Sequence, residues 1–307
     1  MKPGLMVRWV RKKQLKENRA HFAAKNLSYD VDEIRDLNYL DDGNEFHAMD
    51  LYGPKGSQET LPAVMLIHGG GYVSCEKFIN ECQAKFFAQQ GFRVVNINYT
   101  LQPEGDFIEV MRELFAALHW MEENARQYQF DPDGICVSGD SGGGHYALLA
   151  AAIQGSTYLQ DYFGVRPLKH GICGTAASCP MTDLRPARDG KDMTSRFLRK
   201  NTLHSGRLRD DTYVENVSIP CLPDKCEFPE VFLLTTPMDS LLYGEAKGLH
   251  ELLQARGVVH KYREYTSEQR TLGHVFNVTD PEYPESVAAN REILDYFMAQ
   301  YRKRKSP

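Results

Sequence analysis

Two kinds of hydrophobic pattern alternate along most of the chain. Short apolar runs flanked by Gly or Pro predict strands, and stretches in which apolar residues recur every three or four positions predict helices. The strand pattern covers Phe46–Tyr52, ended by Gly53-Pro54, then Ala63–Ile67 after Pro62, Phe92–Tyr99 and Ile135–Ser138. It returns at His170–Ala177, Val231–Thr235 and Val259–Tyr265. Between these runs the helical period marks Ile79–Gln90, stopped by Gly91, and Phe107–Tyr128, whose Val110, Met111, Leu114, Leu118 and Met121 fall on one side. An alanine-rich helix is expected over Gly142–Ile153, and further helices over Leu241–Ala255 and Glu285–Tyr301. Repeated strand-then-helix units predict an α/β domain with a mainly parallel central sheet flanked by helices on both faces. Right-handed crossovers then set its winding.

Two segments break this rhythm. The first thirty or so residues place Leu5, Trp9, Leu15 and Phe22 among Lys, Arg and Glu, the signature of an amphipathic helix. That helix serves equally well as a solvated element packed by one side or as part of a lid. Thr182–Glu227 is polar, irregular and rich in Arg and Asp, with Pro186, Pro220 and Pro223. It is too long for a plain connection in a compact domain, and reads as an insertion after a core strand. The 307 residues are otherwise accounted for as one domain.

The strongest chemical signal is Gly139-Asp140-Ser141-Gly142-Gly143, between the strand ICVS and the helix HYALLAAA. A serine hydroxyl is a weak nucleophile and has to be exposed on a sharp strand-to-helix turn, where flanking glycines remove clashing Cβ atoms. Ser141 is therefore the candidate nucleophile. A second signal, His68-Gly69-Gly70-Gly71-Tyr72, follows the strand AVMLI directly. Consecutive glycines can turn backbone N–H groups toward an oxyanion. Gly70 and Gly71, with the N–H of Gly142, form the expected oxyanion hole. The loop lacks the Lys-Ser/Thr ending of a phosphate-binding loop. His68, ahead of the glycines, is expected to brace the loop.

In a strand–serine–helix arrangement the acid and then the base follow the nucleophile along the chain. His274, in Leu272-Gly273-His274-Val275-Phe276 after the strand VHKYREY, fits the base best. His145 would share the helix of Ser141 and is expected to pack there. Asp239 follows the apolar strand VFLLTT, at a strand end where such sheets carry their chemistry. It could instead cap the next helix, but spacing, order and strand context favour the acid, with Asp224 and Asp280 as weaker competitors. Tyr72 and Phe276, beside the oxyanion loop and the base, are expected to shape the substrate pocket.

Composition narrows the partners. Charged residues make up 25% and hydrophobic residues 42% of the chain, with a formal net charge of -5. No basic face dominates, so nucleic acid is not an expected partner. Small neutral substrates suit a mildly acidic protein. The seven cysteines include no Cys-x-x-Cys pair, which argues for free thiols in a reducing compartment and a cytoplasmic location. No apolar run is long enough for a membrane span. Neither metal nor organic cofactor is called for by the chemistry; oligomeric state is left open, a homodimer included.

Taken together, His68–Gly71, Gly139–Gly143, Asp239 and His274 resemble the hormone-sensitive-lipase-like branch of the α/β-hydrolases, from about Phe46 to the last helix. The resemblance implies an α/β-hydrolase fold and a carboxylesterase or lipase-like activity. Ser141, His274 and Asp239 would be the catalytic triad, with Gly70, Gly71 and Gly142 as oxyanion donors. It also implies a lid built from residues 1–40 and 182–227. The chain departs from that pattern at Ser240, where Pro is usual, at Val275, where Gly is usual, and at Gly142, where Ala is common. Short-acyl esters are the expected substrates. An amidase, formamidase or peptidase would use the same residues, and a noncatalytic receptor can share the fold. Gly-Asp-Ser-Gly-Gly also occurs in chymotrypsin-like proteases, but those are all-β with His and Asp ahead of the serine.

Overall fold

The computed structural model describes residues 3–25, 27–191, 195, 196, 199 and 207–306. Eight strands form one sheet in the order β1-β2-β4-β3-β5-β6-β7-β8. They are β1 (Val31–Asn38), β2 (Ala48–Pro54), β3 (Leu61–Ile67), β4 (Arg93–Ile97), β5 (Phe130–Asp140), β6 (Thr175–Ser178), β7 (Val231–Thr235) and β8 (His260–Glu264). Pairings from β4 to β8 are all parallel, and β2 is antiparallel to both β1 and β4.

Strand periodicity divides the core into two layers. On β3, Ala63, Met65 and Ile67 point to one side and Val64 and Leu66 to the other. The first side is covered by α3 (Phe107–Glu123), α4 (Gly142–Gln154), α5 (Thr157–Phe163) and, further along the chain, α8 (Tyr243–Ala255). The second is covered by α2 (Glu81–Gln89) and α10 (Pro284–Lys305). The central parallel strands β3 and β7 are thus buried on both faces, which is why their sequences run apolar without alternation, whereas the edge strand β8 is partly exposed and polar. Helix α3 starts where Asp106 accepts from the N–H groups of Ile108 and Glu109 while Glu109 reaches back to the N–H of Asp106.

Helix α4 is buried from Gly142 to Ile153. Its Gly- and Ala-rich sequence follows from how close it lies to the sheet: a Cβ on Gly143 would stand 2.1 Å from the carbonyl oxygen of Ile67. Position 143 therefore admits no side chain, and the β5–α4 turn is held tight against the end of β3.

The elements depart from the sequence expectation in several places. The N-terminal helix, α1, spans Leu5–Ala23, but Val31–Asn38, expected within the lid, forms the edge strand β1. Its sequence VDEIRDLN is mostly exposed, so it lacks the apolar signal of a core strand. Helix α5 was not foreseen. The 182–227 insertion holds α6 (Arg185–Asp189) and α7 (Asp211–Asn216), with the rest in short turns or outside the described residues. It is no detached flap, because Leu184, Tyr213, Val214, Val217 and Ile219 join the main core. All seven cysteines are free. Among the described residues no helix is long and apolar enough to cross a membrane.

Candidate active site

Ser141 lies between β5 and α4 with φ 53° and ψ -119°. A non-glycine residue with positive φ is strained. The strain is held by hydrogen bonds from its N–H to the Ser178 carbonyl at 2.9 Å, and from the N–H groups of His145 and Met181 to its own carbonyl. The hydroxyl is thereby left facing a cavity of about 390 Å³.

His274 leaves the loop that follows β8, just before α9 (Phe276–Thr279). Its Nε2 lies 3.0 Å from Ser141 Oγ, and its Nδ1 lies 2.8 Å from Asp239 Oδ2. A carboxylate can only accept, so the ring proton sits on Nδ1 and the Nε2 lone pair faces the serine hydroxyl. Asp239 divides its two oxygens. While Oδ2 takes the imidazole, Oδ1 accepts from the N–H groups of Leu241 and Leu242 at 2.9 and 3.1 Å. Asp239 thus meets the imidazole and the backbone turn that leads into α8, but it does not cap that helix, whose N-cap position is Leu242. Burial pushes its pKa up, but the bond from His274 and the backbone donors outweigh that, and the net shift is downward.

The His68–Tyr72 loop carries three successive residues of positive φ: Gly70, Gly71 and Tyr72. The Gly70 carbonyl is fixed by Val73 N–H, Ser74 N–H and Ser74 Oγ. Gly70, Gly71 and Gly142 all border the cavity beside Ser141, and among the described residues none of their N–H groups has a protein acceptor. Such free, fixed donors suit a developing oxyanion. His68 is buried, with Nδ1 2.7 Å from the Gly69 carbonyl and its ring stacked on Tyr99. Burial pulls its pKa down to about 4, so it stays neutral as a brace.

Asp140, the variable residue of the serine motif, joins the two glycine loops. Its Oδ2 accepts from Gly69 N–H at 3.1 Å and its Oδ1 from Asn80 Nδ2 at 3.0 Å. Burial pushes its pKa up to about 6. Neither Asp140 nor Asn80 was assigned a role from sequence. For Asp140 the signal was its place inside the motif; for Asn80 there was none.

Tyr72 borders the cavity, but its side chain is buried and acts as a brace. Its hydroxyl donates to His145 Nδ1 at 2.7 Å, and His145 Nε2 in turn donates to the Val217 carbonyl at 2.7 Å. His145 packs as expected, and burial pulls its pKa down to about 4. Phe276 requires a correction. It is fully buried in the second core layer, its ring tilted against that of Tyr265, and it does not line the cavity. Val275 takes a left-handed conformation, φ 51°, and itself lines the cavity in place of the expected phenylalanine.

The opposite wall belongs to α1. Val10, Gln14, Asn18 and Phe22, four residues apart, face the cavity. Arg11 fastens the helix through Val73 O, Gln102 O and both oxygens of Glu104. Beyond its C-terminal end, Lys25 pairs with Asp280 and Glu282. None of the described residues of 182–227 lines the cavity; its neighbour Met181 does. Ligand-type atoms of Cys179, Asp239 and His274 lie within 4.8 Å of one another. The Asp239–His274 hydrogen bond already occupies two of them, and burial holds the Cys179 thiol protonated.

The family model BD-FAE matches residues 49–206, just over half of the chain, and so includes both glycine loops and Ser141. The chain belongs to the BD-FAE family. This BD-FAE chain is also similar to human hormone-sensitive lipase, 30% identical over 52% of this chain and 14% of that protein. It is 32% identical to carboxylesterase NlhH of Mycobacterium tuberculosis over 34% of this chain and 33% of that one. The match thus spans a third or less of these curated relatives' length. Among solved structures, esterase B from Lactobacillus rhamnosis superposes with a TM-score of 0.88 at 28% identity, covering 97% of this BD-FAE chain and 95% of that chain. The expected resemblance to hormone-sensitive-lipase-like α/β-hydrolases stands, and the fold is that of an esterase-type α/β-hydrolase.

Proposed function

We propose that this protein is a serine carboxylesterase that hydrolyses small esters through an acyl-enzyme. One observation carries the proposal. The Asp239–His274–Ser141 chain of hydrogen bonds, 2.8 and 3.0 Å, ends at Ser141 in the wall of the same cavity that Gly70, Gly71 and Gly142 border. The named esterases among its relatives support the same chemistry.

In this mechanism His274 Nε2 takes the Ser141 proton as Oγ attacks the ester carbon. Asp239 holds the ring and stabilises the imidazolium. The carbonyl oxygen, now negative, turns to the Gly70, Gly71 and Gly142 donors, each worth about 3 kcal/mol in the transition state. The imidazolium gives its proton to the leaving alcohol. Water, activated by the same base, then releases the acid. Helix α1 acts as the cap of this chamber. A cavity of about 390 Å³ is at the small end for organic ligands, about 300–1,000 Å³, and supports short acyl chains.

The test is a series of p-nitrophenyl esters from acetyl to dodecanoyl, with matched anilides, on wild type and Ser141→Ala. Short esters should turn over best, and the variant should lose both turnover and labelling by a fluorophosphonate. Faster turnover of anilides would move the assignment to an amidase, and a wild type that neither turns over nor labels would make it a noncatalytic member of the fold.

A further inference from the structure

The inner face of α1 is not uniformly apolar. Of its four cavity-facing residues, Val10 and Phe22 are hydrophobic, whereas Gln14 and Asn18 are carboxamides. Away from the reacting groups the rest of the wall is largely aliphatic, with Ile79, Met181, Leu242 and Val278. Asn18 directs its Nδ2 to Cys75 Sγ at 3.5 Å. Gln14 differs: its Oε1 is shielded from solvent and receives no hydrogen bond from any described residue. An unpaired acceptor in apolar surroundings is unfavourable. Leucine at this position would extend the hydrophobic stripe without that penalty.

We propose that Gln14 is the centre of a polar subsite that accepts a hydrogen bond from a hydroxyl or amide N–H carried by the substrate. This rests on the esterase reading above and names the substrate class within it. A plain alkyl ester has only acceptor oxygens and cannot pair with Oε1. An ester with a donor on its acyl or alcohol part can. The helix that carries Gln14 is also held in place. Arg11, one turn earlier on α1, ties the helix to the Val73 carbonyl at 2.6 Å, next to the loop of Gly70 and Gly71. The subsite therefore sits at a set position relative to the reacting carbonyl. Its effect is selection between esters, with no part in proton transfer.

The experiment compares kcat/KM within matched pairs: ethyl 3-hydroxybutyrate against ethyl butyrate, and 3-hydroxypropyl butyrate against propyl butyrate. Wild type should favour the hydroxylated member of at least one pair by about tenfold, the worth of one good hydrogen bond. In Gln14→Leu and Gln14→Met that ratio should fall to about one, whereas Val10→Ala, on the same stripe, should keep it. Each ratio is internal to one protein preparation, so a poorly folded fraction does not alter it. Equal turnover of both members in wild type would overturn the subsite while leaving the esterase assignment intact, as would a ratio that survives in the Gln14 variants or is lost equally in Val10→Ala. No turnover of any of the four esters would overturn the esterase reading itself and the subsite with it.

Discussion

Arg11 Nε donates to the Val73 carbonyl oxygen at 2.6 Å, joining the N-terminal helix to the loop that carries Gly70 and Gly71. The same guanidinium grips Glu104 with both of its remaining nitrogens, each at 2.6 Å, and touches Gln102 O. Planar, forked donation of this kind is beyond an ammonium group. Arg11→Lys should therefore lower kcat/KM for short esters by about tenfold, since bonds of this type contribute about 1.5–3 kcal/mol. The thermal midpoint should move only a few degrees. Steady-state kinetics with limited proteolysis of α1 checks this, and unaltered kinetics would show that the helix does not depend on the clamp.

Asp239 can be probed by separating its two jobs. Asp239→Asn puts an amide opposite His274 Nδ1–H and should cut kcat by about 10⁴-fold, by favouring the wrong imidazole tautomer. Asp239→Ala also strips the acceptor from Leu241 and Leu242 N–H, and should lose about 1 kcal/mol more stability than Asp239→Asn. Adding Asp239→Asn to Ser141→Ala should cost almost nothing further, since the residues act as a unit.

Much of this site was legible in the sequence because its parts leave local traces. Ser141 needs glycines around a strained turn, and Gly143 in particular, since the neighbouring strand end leaves no room for a Cβ. Asp239 stands just past the core strand β7, and His274 in the loop between β8 and α9, in the expected chain order after Ser141. The contacts that failed to show are those between distant segments or those decided by one torsion. Arg11 and Glu104 are 93 positions apart. Phe276 looked like a pocket residue beside His274, but the left-handed turn at Val275 sends the ring into the core. Strand β1 was hidden because an exposed edge strand carries a polar sequence.

Acid should destabilise the protein through His145. Its pKa is lowered by burial from 6.5 to about 4, so between those values the unfolded chain binds a proton that the folded chain refuses. The stability is fully present above pH 6.5 and is lost as pH falls toward 4. At pH 4.5 the loss should reach about 2.5 kcal/mol. His145→Gln is neutral at every pH and can still bond Tyr72 and Val217. Urea titrations at pH 7.5 and 4.5 should show a smaller gap in the variant by about that amount. Asp140, raised by burial from 3.8 to about 6, works the other way: protonating it as pH falls through 6 relieves strain and offsets part of the loss.

Two glycines should respond differently to alanine. In Gly143→Ala the new Cβ meets the Ile67 carbonyl, a backbone group that cannot step aside. The expected loss is about 3 kcal/mol or more, seen as a large drop in melting temperature or no soluble protein. In Gly71→Ala nothing lies within 4 Å of the Cβ, and only the left-handed φ of 58° opposes it, for about 1–2 kcal/mol. Gly71→Ala should fold, with any fall in activity traceable to the glycine loop beside Ser141. Equal melting temperatures for the two variants would contradict this geometry.

Fastened by Arg11 near one end and Lys25 beyond the other, α1 behaves as a beam resting on two supports and not as a flap on one hinge. A beam cannot swing aside when a bulkier residue is placed on its underside. The volume has to come out of the chamber, so Val10 and Phe22 act as spacers that set how much room remains beneath the helix.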